Sequence, residues 1–332
     1  MGNELHLVFE LLFHLRTALV TQIQWLSCCL VNDRLYSLEE YLRLTRHLYR
    51  SPKVTPQKRR VIPPRMPRNS TITGVDIYDR TGIERSTFMK IFSSIQEDLE
   101  KPRSGTRKVR VTLSSQHRLL MVLQWIREYP KLKVLGQLYG VSRLFAKREI
   151  RHLIPVLFVR MNYIGWPGEF EPSPRNFQAV IDCSAHTRLR IHPGSTEYYR
   201  GDKKRHIMVS QVVCGLQGAV YDVTIGKGHN NDQAMFILSG MKFHTEVNQL
   251  NLLGDRGYHH HRITTPGSPD WTNFASHHRV IVENVIGQVK QFAVASAVFR
   301  QSPELQALVL VICFELVAEK NQDNELRYFP LQ

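Results

Sequence analysis

Between residues 165 and 176 the chain changes the kind of structure it can build. Gly165-Trp-Pro-Gly168 and, shortly after, Pro172-Ser-Pro174-Arg175 interrupt every regular pattern. Before this break, apolar residues recur at helical spacing; after it come short apolar runs of strand length bounded by turn residues. A chain of 332 residues, 42% hydrophobic and 22% charged, is long enough for both regions to bury real cores. The pattern predicts a helical block over 71–164 and a mixed α/β layer over 177–320.

Charge follows the same division. Residues 1–174 carry 28 Lys and Arg against 15 Asp and Glu, whereas 175–332 carry 16 against 14. The front of the chain therefore suits a polyanion and the back does not. The five cysteines are odd in number and include no C-x-x-C pair, which argues against a disulfide framework or structural zinc and fits a reducing compartment. Residues 1–50 read as a helical segment, with a capping box at Ser37-Leu-Glu-Glu40. Its apolar stretch 5–31 is broken by Glu10, His14, Arg16, Gln22 and Gln24, so it falls short of the ~20 apolar residues of a membrane span. No membrane role is expected, and the segment suits packing or self-association. Residues 51–70, with five prolines, six Lys and Arg and no acid, read as a basic linker. Within it Lys58-Arg59-Arg60 is either a nuclear-import or phosphate patch or a solvated run.

The helical block predicts a helix over 86–99, then three more over about 115–129, 132–139 and 143–154, the last ending before Pro155. Gly140-Val141-Ser142 joins the final two with a glycine for the sharp turn and a serine to cap the next helix. That is a helix-turn-helix layout. On its second helix Arg143, Lys147 and Arg151 recur every four residues, with Arg148 beside them, while Leu144, Ile150, Leu153 and Ile154 are expected to turn inward. Such a basic face suits the major groove and phosphates of double-stranded DNA. A solvated basic face is the plainer alternative.

Behind the break, strands are expected near 177–183 (continuing to 188–191), 206–214, 219–225 and 249–254. Gly215-Leu-Gln-Gly218 forms a hairpin turn, and helices are expected near 231–241, 279–290 and 303–320. Asp182 closes the apolar run Ala179-Val-Ile, Asp255 closes Leu252-Leu-Gly, and Glu283 lies on the helix Arg279 to Lys290. Three carboxylates from separate elements are the hard oxygen donors that hold a pair of Mg²⁺ or Mn²⁺ ions about 4 Å apart for phosphodiester chemistry. Asp232 is a possible additional acid, or simply an acid at a helix start. Arg279 and Lys290 share a face with Glu283 and are expected to meet DNA phosphates; the plainer reading of Arg279 is an i,i+4 ion pair. The histidines at 259–261 and 277–278 lack a cysteine or spaced partner to complete four ligands, so no zinc site is expected there.

These pieces, Ala179-Val-Ile-Asp182-Cys183, the run from Gln211 to Val223, Gly228-His-Asn-Asn-Asp232, Leu252-Leu-Gly-Asp255-Arg-Gly-Tyr258 and Arg279-(3)-Glu283-(6)-Lys290, occur in one order over roughly 110–320. In that order the chain resembles the DDE transposases of the PIF/Harbinger type, related to bacterial insertion-sequence enzymes. It departs from them in having Ser276 where a tyrosine is common, a short spacing from Asp255 to Glu283, and a displaced histidine behind Asp182, with Ala185 and His186 following Ser184. The resemblance implies an RNase H-like catalytic domain over 177–320, preceded by the helix-turn-helix over 71–164. It also implies Asp182, Asp255 and Glu283 as catalytic ligands of a two-metal Mg²⁺ or Mn²⁺ site, and action on transposon ends and target DNA. A homo-oligomer, a Myb-like DNA-binding partner protein and a nuclear location (cytoplasmic in a prokaryote) follow on the same footing. The alternative function is a domesticated, non-catalytic DNA-binding protein that keeps the helix-turn-helix.

Overall fold

The computed structural model describes residues 72–100, 113–170, 172–173, 176–190 and 196–323. The expected N-terminal helices (1–50), the basic linker (51–70) and the Lys58-Arg59-Arg60 patch lie outside the described residues.

The helical block begins with a helix that the sequence pattern does not signal, α1 (Gly74–Thr81). Its start is a capping box: the Thr73 hydroxyl accepts from the Asp76 amide at 3.1 Å, and the Asp76 carboxylate accepts from the Thr73 amide at 3.1 Å. Gly82, at φ 69°, ends it. Then come α2 (Arg85–Glu100), α3 (Ser115–Glu128), α4 (Leu132–Leu138) and α5 (Arg143–Arg160). The turn between α4 and α5 is built as expected, with Gly140 at φ 63° and the Ser142 hydroxyl accepting from the Phe145 amide at 3.1 Å. Two expectations fail on α5. The helix runs past Pro155 to Arg160, because Leu153, Ile154 and Leu157 are fully buried and outweigh one missing amide. Leu144 is 55% exposed rather than inward.

Behind the break the strands are β1 (Phe177–Thr187), β2 (Tyr199–Arg200), β3 (Arg205–Gly215), β4 (Val220–Lys227), β5 (Asn251–Leu253) and β6 (Ile263–Thr264). β4, β3 and β1 form an antiparallel meander; β5 then adds parallel to β1, and β6 parallel to β5. β2 pairs with the start of β3. The helix expected over 231–241 is two, α6 (Asp232–Leu238) and α7 (Met241–Val247), separated at Gly240 by φ 75°. α8 (Asn273–Lys290) starts two turns earlier than its apolar stripe suggests, where Thr272 caps it. α9 (Ala293–Ser296) and α10 (Pro303–Asp323) complete the chain of elements.

The sheet is covered on both faces. Ala179, Ile181, Val213 and Leu252 pack with Phe236 and Met241 of α6 and α7. Val180, Val212, Cys214 and Leu253 join a larger core with α3, α5, α8 and α10. α10 is buried nearly all round from Val309 to Ala318, as a helix must be when it lies between a sheet and other helices. Its Glu315 accepts from the Tyr163 and Ile164 amides at 2.6 and 3.2 Å, and its Glu319 accepts from Thr87 at 2.6 Å. Tyr129, just after α3, accepts a bond from the Arg300 amide at 2.7 Å and carries that guanidinium 4.3 Å above its ring. The helical block and the sheet layer therefore share one core. Among the described residues, no helix is long and apolar enough to cross a membrane, and Cys183, Cys214 and Cys313 are free thiols.

Candidate functional site

Parallel pairing of β1 with β5 brings the first two acids together. Val180 stands opposite Leu253, so Asp182, in the middle of β1, and Asp255, two residues past the end of β5, come side by side. Asp182 is half-buried, and its Oδ1 accepts from the Cys183 amide at 2.7 Å. Asp255 Oδ1 accepts from the Gly257 amide at 2.8 Å, which fixes that carboxylate across a tight turn.

Asp232, the first residue of α6, closes on the same point. A Cβ on Gly257 would stand 2.5 Å from Asp232 Oδ2 and 3.0 Å from Asp255 Oδ1, so any larger residue here would push the Asp232 carboxylate from its place across this turn. Charge records the crowding. Burial, with added repulsion from Asp255 and Asp232, pushes the Asp182 carboxyl up to about 6 against the pull of the Cys183 amide and Arg279. Burial and then Asp255 raise Asp232 as well, while the Cys183 thiol, Arg200 and Lys203 draw it down. Buried carboxylates held this close are costly unless cations join them.

Glu283 is linked to this cluster through Arg279. It lies on α8 with its side chain 52% exposed and bonds Arg279 at 3.0 Å in an i,i+4 pair. Arg279 is in turn the cation that acts on Asp182. Lys290, at the end of the same helix, feels both Asp182 and Lys203. Arg200, the last residue of β2, and Lys203, in the turn to β3, escape the sequence pattern because this segment carries no motif; their link to Asp232 arises only from packing. His186 is away from the carboxylates, its ring held between the Ala295 carbonyl (2.9 Å) and the Ser210 hydroxyl (2.8 Å), and burial lowers it to about 4.

On α5, Arg143 and Arg148 are exposed, whereas Lys147 and Arg151 are half-buried and line a hollow with Trp125, Leu132, Ile150, Gln301 and Leu305. Burial and then Arg151 and Arg143 lower the Lys147 ammonium, so the three cations do share a face. One ion pair of the block lies inside it and leaves its basic excess on the surface unchanged. Arg118 and Glu149, both buried, pair at 2.8 Å, and Arg118 also donates to the Leu99 carbonyl at 2.8 Å. His277 and His278 spend their Nδ1 atoms on the Asn273 and Phe274 carbonyls.

Comparison with known proteins bears on both regions. Residues 181–317 match the DDE superfamily endonuclease family, and residues 111–162 match the helix-turn-helix of DDE superfamily endonuclease. Together the two matches support a transposase of the DDE superfamily, with a DNA-cleaving function and DNA binding through the helix-turn-helix. No curated protein matches the chain. Among solved structures, a chain described as the crystal structure of a pre-cleavage Mos1 transpososome aligns at 11% identity over 96% of this chain and 95% of that one, with a TM-score of 0.17. That likeness carries no argument.

Proposed function

We propose that this chain is a metal-dependent DNA endonuclease and strand transferase of RNase H-like fold and PIF/Harbinger type. The observation that carries the reading is the grouping of Asp182, Asp232 and Asp255 beside the parallel β1–β5 pair, with Asp232 facing Asp255 across Gly257 and both repelling Asp182. The mixed sheet, an antiparallel meander continued by parallel strands, supports the fold assignment. The site suits Mg²⁺ or Mn²⁺: its donors are hard carboxylate oxygens, they are mutually repelling, and Gly257 keeps the space between two of them clear. Asp182 and Asp255 would hold the ions, with Asp232 beside them and Glu283 as the third ligand that the DDE resemblance assigns. Held by these carboxylates, divalent cations would supply activation of the attacking oxygen and stabilisation of charge on the phosphate.

The chain's own residues do the rest. Arg279 orients Glu283 and offsets charge beside Asp182. Lys290 and Lys203 flank the carboxylates where a DNA backbone must pass. Arg143, Lys147, Arg148 and Arg151 hold duplex DNA. Action on transposon ends and target DNA, a homo-oligomer, a Myb-like partner protein and nuclear residence belong to the same reading.

One observation favours a second reading. Glu283 is half exposed and engaged by Arg279, as in a protein kept only to bind DNA. The test is nicking of end-containing DNA in Mn²⁺ by the protein and by Asp255→Ala. Loss of about 10³-fold or more is expected, since the ions contribute several kcal/mol to the transition state. Unchanged cleavage by Asp255→Ala overturns the site. No cleavage by the unmutated protein with any partner leaves the non-catalytic reading.

A further inference from the structure

A second set of metal-ligating side chains lies on the side of the sheet covered by α6 and α7. Glu246, near the end of α7, and His260 and His261, in the loop between β5 and β6, bring one carboxylate oxygen and two ring nitrogens within 4.8 Å of one another. Glu246 Oε1 is 2.9 Å from His260 Nε2 and 3.6 Å from His261 Nδ1. A tetrahedral zinc ion with bonds of about 2.0–2.2 Å separates its ligand atoms by about 3.4 Å, so these spacings need only small adjustment. Sequence spacing gives no reason for consecutive histidines to converge on one ion; here the loop folds back on α7, and a residue 14 positions before His260 supplies the third ligand.

A second observation concerns His260. Its side chain is 5% exposed and packs edge-on against Phe236 at 5.3 Å. Its Nε2 approaches the Glu246 carboxylate closely but makes no hydrogen bond of acceptable direction. Close to a carboxylate but poorly aligned for a hydrogen bond with it, this buried ring nitrogen and its acidic neighbour are better satisfied by a shared cation. Arg262 Nε stands 3.6 Å from Glu246 Oε2, taking the far oxygen and leaving Oε1 toward the imidazoles. The Arg262 amide also lies 3.3 Å from His260 Nδ1. Ligation through Nε2 puts the ring proton on Nδ1 and so surrenders that long hydrogen bond.

We propose that Glu246, His260 and His261 bind one divalent transition-metal ion, zinc by preference. Two imidazoles and one carboxylate are a borderline nitrogen and oxygen set, unlike the all-oxygen surroundings that magnesium favours. His261 and Glu246 are 68% and 42% exposed, which leaves the fourth position to water. The clamped loop begins at Asp255 and includes Gly257 and the buried Tyr258, and His259 already exchanges bonds with Gln233 of α6 at 2.8 and 3.4 Å. An ion there would tie α7 to the loop that seats Asp255 against Asp232, a structural role apart from the cleavage chemistry.

The test is Co²⁺ titration of the full chain carrying Asp182→Asn and Asp255→Asn, which disables the other cation site. One Co²⁺ per chain is expected, with the visible absorption of a tetrahedral nitrogen and oxygen site, displaced by Zn²⁺. Adding His261→Ala, at an exposed position that folding does not need, or Glu246→Ala should weaken binding at least tenfold and bleach the band while circular dichroism stays unchanged. No Co²⁺ band in the parent, or undiminished binding in both variants, overturns the proposal. Because the readout is made without the nuclease carboxylates, its failure leaves the cleavage reading standing, and failure of nicking leaves this one.

Discussion

The helical block and the sheet layer treat charge in opposite ways. In the block, Arg118 and Glu149 are buried as a bonded pair, while exposed Arg143 and Arg148 stay in solvent. In the sheet layer, like charges are pressed together: partial burial raises the Asp182 and Asp232 carboxyls, and Asp255 repels both of them further. Arg279 and Lys290 near Asp182, and Arg200 and Lys203 near Asp232, offset that repulsion only in part, whereas Arg118 and Glu149 cancel one another. Perturbed carboxyls of this kind cluster at functional sites, and a compensated pair is ordinary scaffold.

Four measurements would break or sharpen that contrast, in falling order of effect. Glu149→Ala should destabilise the fold by about 3–5 kcal/mol, because it leaves the Arg118 guanidinium buried and unpaired. Arg118→Met with Glu149→Leu should restore most of the loss in urea unfolding; if the double variant is as weak as the single, the pair is not the cause.

Glu315 comes next. Burial pushes its carboxyl up to about 7 despite two backbone donors. The folded state therefore holds a proton that the unfolded state releases near 4.5, so stability is full below that pH and declines as pH rises through 7. Glu315→Gln should flatten this decline, worth about 3 kcal/mol in total. An unchanged slope of unfolding free energy between pH 4.5 and 8 would remove Glu315 as its source.

Gly257→Ala should then separate Asp232 from Asp255 and cost roughly 10²-fold in Mn²⁺-dependent cleavage with little change in melting temperature. Retained cleavage would mean the two acids need not converge. The smallest effect belongs to the basic face. Replacing any one of Arg143, Lys147, Arg148 and Arg151 that neutralises a phosphate should lower the slope of log affinity against log salt by about 0.9. A quadruple alanine variant with full affinity and full salt dependence would make the face a solvated surface.

Much of this is legible in the chain. The apolar runs closed by Asp182 and Asp255 need only local pattern to read, although β1 continues past Asp182 to Thr187. The α4–α5 turn is equally plain, since Gly140 and Ser142 act through their own backbone. The break at Gly240 escapes notice because a single glycine inside an apolar stretch signals a bend only weakly. The end of α5 is misplaced by local pattern because Pro155 has a local penalty that distant packing overrides.

By itself the sequence determined the longer elements and their order, the helix-turn-helix and the acids that close the apolar runs, because period, capping and turn chemistry act within a few residues; the short elements α1, β2, β6 and α9 escaped it. Only the tertiary structure decided which acids meet. Parallel pairing of β1 with β5 set Asp182 beside Asp255, and the Gly257 turn admitted Asp232. Helical spacing paired Glu283 with Arg279, but only the packing of α8 against the sheet set Arg279 beside Asp182. Folding of the β5–β6 loop onto α7 likewise joined Glu246 to His260 and His261. Such convergence depends on packing between residues tens of positions apart, whose strength comes from shared burial, and no local pattern along the chain encodes it.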